Sequence, residues 1–185
     1  MSERLKLAAL LGVRAARIRL GADAPPDLRT LPSSEWLQHL QEVDGDVLVR
    51  SAIHMFRSVF LPRWLESHRT ERRPLRALEA AEQCFKRPGE DALRHALAMA
   101  EACAEVRVDA VGATHRIARC ARAVACAAAH PTRELRLAAL AEVFQTAEEE
   151  LITTAAAFGF QRREAESRAQ ILEALHEILL PEEGK

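Results

Sequence analysis

The sequence predicts an all-α protein, an antiparallel multi-helix bundle or a set of stacked helical hairpins with seven to eight helices. Alanine, leucine, glutamate and arginine dominate the chain, and these residue types have high helix propensity. Glycine and proline, which interrupt helices, number only seven and eight in 185 residues. Apolar residues also recur three or four positions apart over most of the chain, as on the buried face of a helix.

The N-terminal part of the chain predicts one long helix, a proline-rich connection and one short helix. Leucines and alanines recur at helical spacing over residues 3–20, and Gly21 follows as a favoured residue for a helix end. Three prolines between residues 21 and 33 predict an extended connection. Trp36 and two leucines then share one face of a short amphipathic helix over 34–43.

The middle of the chain predicts two helices around a polar loop. The more apolar of the two begins at Val47, with Asp46 as its expected N-cap. Pro62 is expected to kink or end this helix, because proline removes one backbone donor. After the loop, Pro74 suits the first turn of the second helix, predicted over 75–86.

The C-terminal half completes a single helical domain, 1–185, in which 1–33 form the N-terminal helix with its connection and 47–180 form the main bundle. One of its predicted helices is alanine-rich almost all round, so we expect that helix to lie centrally, where small side chains allow close helix packing. The helices predicted here span 90–106, 108–129 (the alanine-rich one), 133–157 and 161–179.

Composition argues against several classes of partner. The 26 basic and 27 acidic residues give a net charge of −1, without the basic excess typical of nucleic-acid binding. No apolar stretch approaches the roughly 20 residues that span a membrane, and arginines interrupt the apolar run near the N-terminus, unlike a signal peptide. The four cysteines show no CxxC spacing, and reduced thiols suit the cytoplasm. We therefore expect a cytoplasmic protein that binds neither nucleic acid nor membrane.

No complete catalytic or metal-binding motif is present in the sequence. A single Glu-x-x-His pair, Glu173 and His176, lies on the last predicted helix, whereas di-iron bundles use two such pairs. Cys120 stands near two arginines, but neighbouring positions on a helix point away from it. We expect no catalytic residue, no bound metal and no cofactor.

Two histidines are candidates for a buried polar site. His54 and His115 each interrupt an apolar or small-residue helix, where a histidine is either a hydrogen-bonded core residue or a functional switch or ligand. The run Glu148 to Glu150 is interpreted as a solvated acidic face that could meet a basic partner.

A basic cluster surrounds the start of the helix predicted at residue 75. It contains His68, Arg72, Arg73 and Arg76, and a helix N-terminus itself favours anions. Glu79, three positions after Arg76, is expected to pair with it across one helix turn. These five residues are the predicted partner-binding site.

The same region carries a resemblance to a known family. Residues 73–80 read RPLRALEA, and an apolar helix ending VFLP at 59–62 precedes them. This arrangement resembles the immunity protein family of bacterial polymorphic toxin systems, over about residues 47–130. The resemblance implies a small protein that neutralises a cognate toxin by binding it.

Toxin neutralisation through protein–protein binding is therefore the leading functional expectation. One alternative is a helical adaptor or regulatory protein that binds a different protein partner. Another is a small metal-dependent enzyme that uses His54, His115 and nearby acids. The sequence leaves the identity of the partner and the oligomeric state open.

Overall fold

The computed structural model describes residues 3–106, 112–157 and 164–180, without the side chains of 112–115. Within these ranges, all of the regular secondary structure is helical. The predicted all-α fold is confirmed. None of the described helices combines the length and apolarity needed to cross a membrane. The α-helices are α1 (Glu3–Leu10), α2 (Arg14–Leu20), α3 (Trp36–His39), α4 (Gly45–Met55), α5 (Leu61–Ser67), α6 (Arg73–Lys86), α7 (Glu90–Ala104), α8 (Gly112–Ala129), α9 (Arg133–Ala157) and α10 (Glu164–Leu179).

The single helix predicted over 3–20 is in fact two helices, α1 and α2. If α4 and α5 are counted as one continuous helix, the described ranges contain nine helices, against the seven to eight predicted. Gly12 causes the break, with a φ of 81° that suits glycine. The amide of Val13 donates to the Ala8 carbonyl (2.9 Å) and that of Gly12 donates to the Ala9 carbonyl (3.1 Å). These two bonds form a Schellman motif, which satisfies the last carbonyls of α1.

The start of α4 differs from the prediction by two residues. Asp44, not Asp46, is the N-cap, because its carboxylate accepts from the amides of Asp46 (2.8 Å) and Val47 (3.2 Å). The Asp46 carboxylate instead pairs with Arg136 of α9.

Pro62 does not end the helix that contains it. A π-helical turn at Phe56–Phe60 joins α4 to α5, and the Leu61 amide donates to the Phe56 carbonyl five residues earlier. Proline cannot donate to the carbonyl four residues before it, and a widened turn is one way for a helix to accommodate such a break in its bonding pattern.

The alanine-rich helix α8 lies at the centre of the bundle, as predicted. It packs against α9 on one side and against the α6–α7 hairpin on another, and it also contacts α4. Every described residue from Ala127 to Ala129 is buried, as are seven others between Ile117 and Ala125. Small side chains on nearly all faces allow four helices to approach α8 closely.

Trp36 anchors the N-terminal connection to this bundle. Its side chain is fully buried and its ring lies 5.6 Å from the ring of Phe144 on α9. The indole N–H donates to the carbonyls of Leu28 (2.9 Å) and Leu31 (3.2 Å). A buried indole therefore fixes the path of the proline-rich segment.

Candidate protein-binding surface

The basic cluster predicted from the sequence surrounds the first turns of α6, which begins at Arg73 with Pro74 as its second residue. Pro74 is buried and needs no hydrogen-bond partner for its nitrogen, as suits the first turn of a helix. The preceding loop is held by the Trp64 indole of α5, which donates to the Glu71 carbonyl (2.7 Å). The rigid start of α6 therefore sets the positions of the arginines around it.

Arg73 is part of this local structure. Its Nε donates to Glu71 Oε1 (2.9 Å), its Nη2 lies 2.5 Å from Glu71 Oε2, and its Nη1 reaches the Ala102 carbonyl of α7 (3.4 Å). The hydrogen bond from Arg73 lowers the pKa of the Glu71 carboxyl. Arg73 thus joins the α5–α6 loop to the end of α7, and its guanidinium is already occupied.

Three neighbouring arginines are in the opposite situation. Arg69, Arg72 and Arg76 are exposed, and within the described ranges none of them has an ion-pair partner. We refer to these three residues as the arginine surface. Arg69 follows α5 and was not singled out by sequence reasoning, although it lies in the same polar loop as His68 and Arg72.

A groove between α6 and α7 continues from the arginine surface. It encloses about 470 Å³ and is lined by Arg76, Glu79, Ala80, Gln83, His95 and Met99. Of the lining residues, Ala80 is buried and Met99 is half-buried, and these two form the apolar part of the groove. The polar lining residues are exposed. The ion pair predicted between Arg76 and Glu79 is absent from the described contacts, so both side chains face the groove unpaired.

The side chain of His68 packs against α5 and does not extend from the arginine surface. Its ring stacks on Trp64 with the centroids 4.4 Å apart, and its Nδ1 is buried without a hydrogen-bond partner. Of the five predicted partner-binding residues, the structure places Arg72, Arg76 and Glu79 at the exposed surface. It places Arg73 and His68 in packing contacts beside that surface.

Of the two candidate histidines, the structure describes the surroundings of His54 alone. His54 is 30% exposed at the contact between α4 and α10, where its Nε2 lies 2.7 Å from Glu177 Oε2. The side chain of His115 lies outside the described residues. His54 therefore serves as a link between two helices, half-exposed and not buried.

The cysteines have the properties of core residues. Cys84, Cys103 and Cys120 are buried, Cys126 is half-buried, and all four are free thiols. Burial raises the pKa of the Cys103 thiol to about 12 and raises that of Cys120 still further, the reverse of what a nucleophilic thiol needs. In the part of the chain that the structure describes, no three potential ligands among His, Cys, Asp and Glu come together as a metal site.

The acidic run on α9 is not a solvated face, and this corrects the prediction. Glu148 and Glu150 are 9% and 3% exposed, and only Glu149 between them is half-exposed. Glu148 accepts from Arg168 of α10 (2.5 Å) and from the backbone amide of Ser33 (3.1 Å). Their spacing was the available signal, because Glu148 follows buried Phe144 by four residues and Glu150 follows buried Ala147 by three.

Fold and surface together define an all-helical bundle in which exposed arginines, without ion-pair partners among the described residues, lie beside a mixed polar and apolar groove. Compared with protein-family models, with curated proteins and with solved structures, the chain has no match.

Proposed function

We propose that the protein acts by binding another protein at the arginine surface and the adjoining groove, and that this partner is a toxin which it neutralises. The main observation in support of this proposal is a difference in pairing among the arginines of residues 69–76. Arg73 is paired with Glu71, whereas Arg69, Arg72 and Arg76 are exposed and unpaired within the described ranges. Exposed guanidinium groups without ion-pair partners are available for bidentate contacts with carboxylates of a partner.

The toxin part of the proposal comes from the resemblance of residues 73–80 to immunity proteins. The partner would present an acidic surface to the arginines, and a short polar segment of it would lie along the groove. A cytoplasmic location suits such a role, because an immunity protein must meet its toxin inside the cell that it protects.

Co-expression with each secreted toxin whose gene is found beside the gene for this protein tests this proposal. Cells that express the toxin should grow when they also express the wild-type protein, and should not grow with the double variant R72E/R76E. Glutamate near the start of a helix is favourable for the helix dipole, so the variant should still fold. Arg87→Glu is the matched control, because Arg87 is exposed beyond the other end of the same helix.

The outcomes separate the two parts of the proposal. Protection by R72E/R76E equal to that by the wild type would show that another surface binds the partner. Failure of the wild-type protein to protect, together with no binding between the purified proteins, would overturn the toxin assignment.

A further inference from the structure

Glu150 is a buried carboxyl group with only one of its oxygens satisfied. It lies on α9 and is 3% exposed. Its Oε1 accepts a hydrogen bond from the Thr154 hydroxyl one turn later (2.8 Å). Its Oε2 is buried without a hydrogen-bond partner. An unsatisfied buried acceptor is costly, and native structures contain few of them.

A second unsatisfied group lies across the helix interface. Arg116 on α8 has a buried Nη1 without a hydrogen-bond partner, and its positive charge acts on Glu150. The positive charges of Arg116 and of Arg63 on α5 both lower the pKa of Glu150. Cys120, one turn after Arg116, also faces this region, and burial keeps that thiol neutral by raising its pKa. These groups and Thr154 are the described side chains that interact electrostatically or by a hydrogen bond with Glu150.

Burial has the largest effect on the ionisation of Glu150. It raises the pKa of the carboxyl from 4.5 to about 7, against the opposing influence of Thr154, Arg116 and Arg63. Both protonation states are therefore populated near neutral pH. In the described arrangement, where one oxygen has no partner, the neutral carboxyl costs less to bury than the carboxylate.

We propose that the junction of α9 with α5 and α8 is a pH-sensitive, two-state contact controlled by the proton on Glu150. When Glu150 is protonated, the junction has the described arrangement. When the proton passes to solvent, the carboxylate accepts a hydrogen bond from Arg116 Nη1, which satisfies both unpartnered atoms and draws α8 towards α9. Arg116 is the assigned partner, rather than Arg63, because its own nitrogen is buried and unsatisfied.

Carboxyl ¹³C and arginine ¹⁵N NMR on the whole protein test this proposal. We expect the Glu150 Cδ resonance to titrate with a midpoint above the ordinary 4.5 but below about 7, because pairing with Arg116 favours the ionised carboxylate over the described arrangement. Hydrogen-bonded Arg116 Nη resonances should emerge with the same midpoint as the pH rises. Glu150→Gln should abolish the Arg116 transition, whereas Glu134→Gln, at an exposed position in the first turn of α9, should leave it unchanged.

Arg116→Lys separates pairing from a general effect of the electric field, because lysine keeps the positive charge but lacks the guanidinium Nη1. Arg116→Gln should raise the Glu150 midpoint by removing the charge, and Arg116→Lys should raise it less but measurably, whereas a field effect alone would leave the Lys variant at the wild-type midpoint. A Glu150 midpoint near pH 4.5 in the wild-type protein would overturn the proposal. So would a midpoint near pH 7 that leaves the Arg116 resonances unchanged, because Glu150 would then ionise without any rearrangement. The wild-type titration gives an answer even if a variant does not fold.

Discussion

The start of α6 and the middle of α9 use charged side chains in opposite ways. At the start of α6, Arg72 and Arg76 are exposed and lack ion-pair partners in the described structure. In the middle of α9, Glu148 is paired with Arg168 where both side chains are about one-tenth exposed, and Glu150 is buried with one oxygen unsatisfied. Exposed charges contribute little to folding stability, whereas buried ones strongly affect it. This contrast supports the start of α6 as the proposed binding surface, and makes the buried charges of α9 the main influence on stability and its pH dependence.

The largest expected effect is at the buried ion pair. Arg168→Ala would leave Glu148 as a buried carboxylate without its cationic partner, and should lower the free energy of unfolding by about 3 kcal/mol. Urea denaturation followed by circular dichroism measures this loss. Arg94→Ala is the control, because Arg94 is 67% exposed in its pairs with Glu90 and Asp91, and should change stability by less than about 0.5 kcal/mol. Equal losses in the two variants would contradict the comparison.

Glu150→Gln should stabilise the protein in a pH-dependent way. The pKa of Glu150 is about 7 in the folded protein and 4.5 as an ordinary carboxyl, so the unfolded chain releases the proton first as the pH rises. Wild-type stability therefore decreases between about pH 4.5 and 7 through this group, and glutamine removes that dependence. The advantage of the variant should grow by about 2 kcal/mol from pH 5 to pH 8. Urea denaturation at both pH values measures it, and an advantage that stays constant would be inconsistent with a raised pKa.

The smallest effects separate Arg73 from its neighbour Arg76. Arg73→Ala removes the bidentate contact with Glu71 and should lower the free energy of unfolding by about 1 kcal/mol. Arg76→Ala removes no such contact and should stay within about 0.5 kcal/mol of the wild type. Thermal unfolding of both variants tests the distinction. A larger loss for Arg76→Ala would indicate that Arg76 has a structural role and would weaken its assignment to the binding surface.

Helical periodicity was sufficient to predict the fold class and most helix boundaries. The prediction failed where backbone geometry depends on one residue, as at Gly12, whose positive φ ends α1 inside an otherwise continuous apolar pattern. Pro62 was expected to kink or end its helix. The helix continues instead through a π-helical turn in the preceding residues, a response of the backbone that residue types do not specify.

The sequence was sufficient to select charged residues as candidates for the site, but not to predict which of them are exposed and which are paired or buried. Arg72, Arg73 and Arg76 look equivalent in the sequence, and only the position of Glu71 and of the Ala102 carbonyl makes Arg73 different. The acidic run on α9 was misinterpreted because three adjacent carboxylates suggest solvent. Their spacing from Phe144 and Ala147 nevertheless places two of them on the buried side.

Titration calorimetry with the toxin that this protein is proposed to neutralise tests the central claim most directly. We predict that R72E/R76E binds at least about tenfold more weakly than the wild type, equivalent to about 1.4 kcal/mol, while Arg87→Glu binds with wild-type affinity. R72E/R76E should unfold at the same denaturant concentration as the wild type, and Arg87→Glu at a slightly lower one, because an acidic residue at the C-terminal end of a helix is unfavourable for the helix dipole. Equal affinities for R72E/R76E and Arg87→Glu would contradict the assignment of binding to the arginine surface.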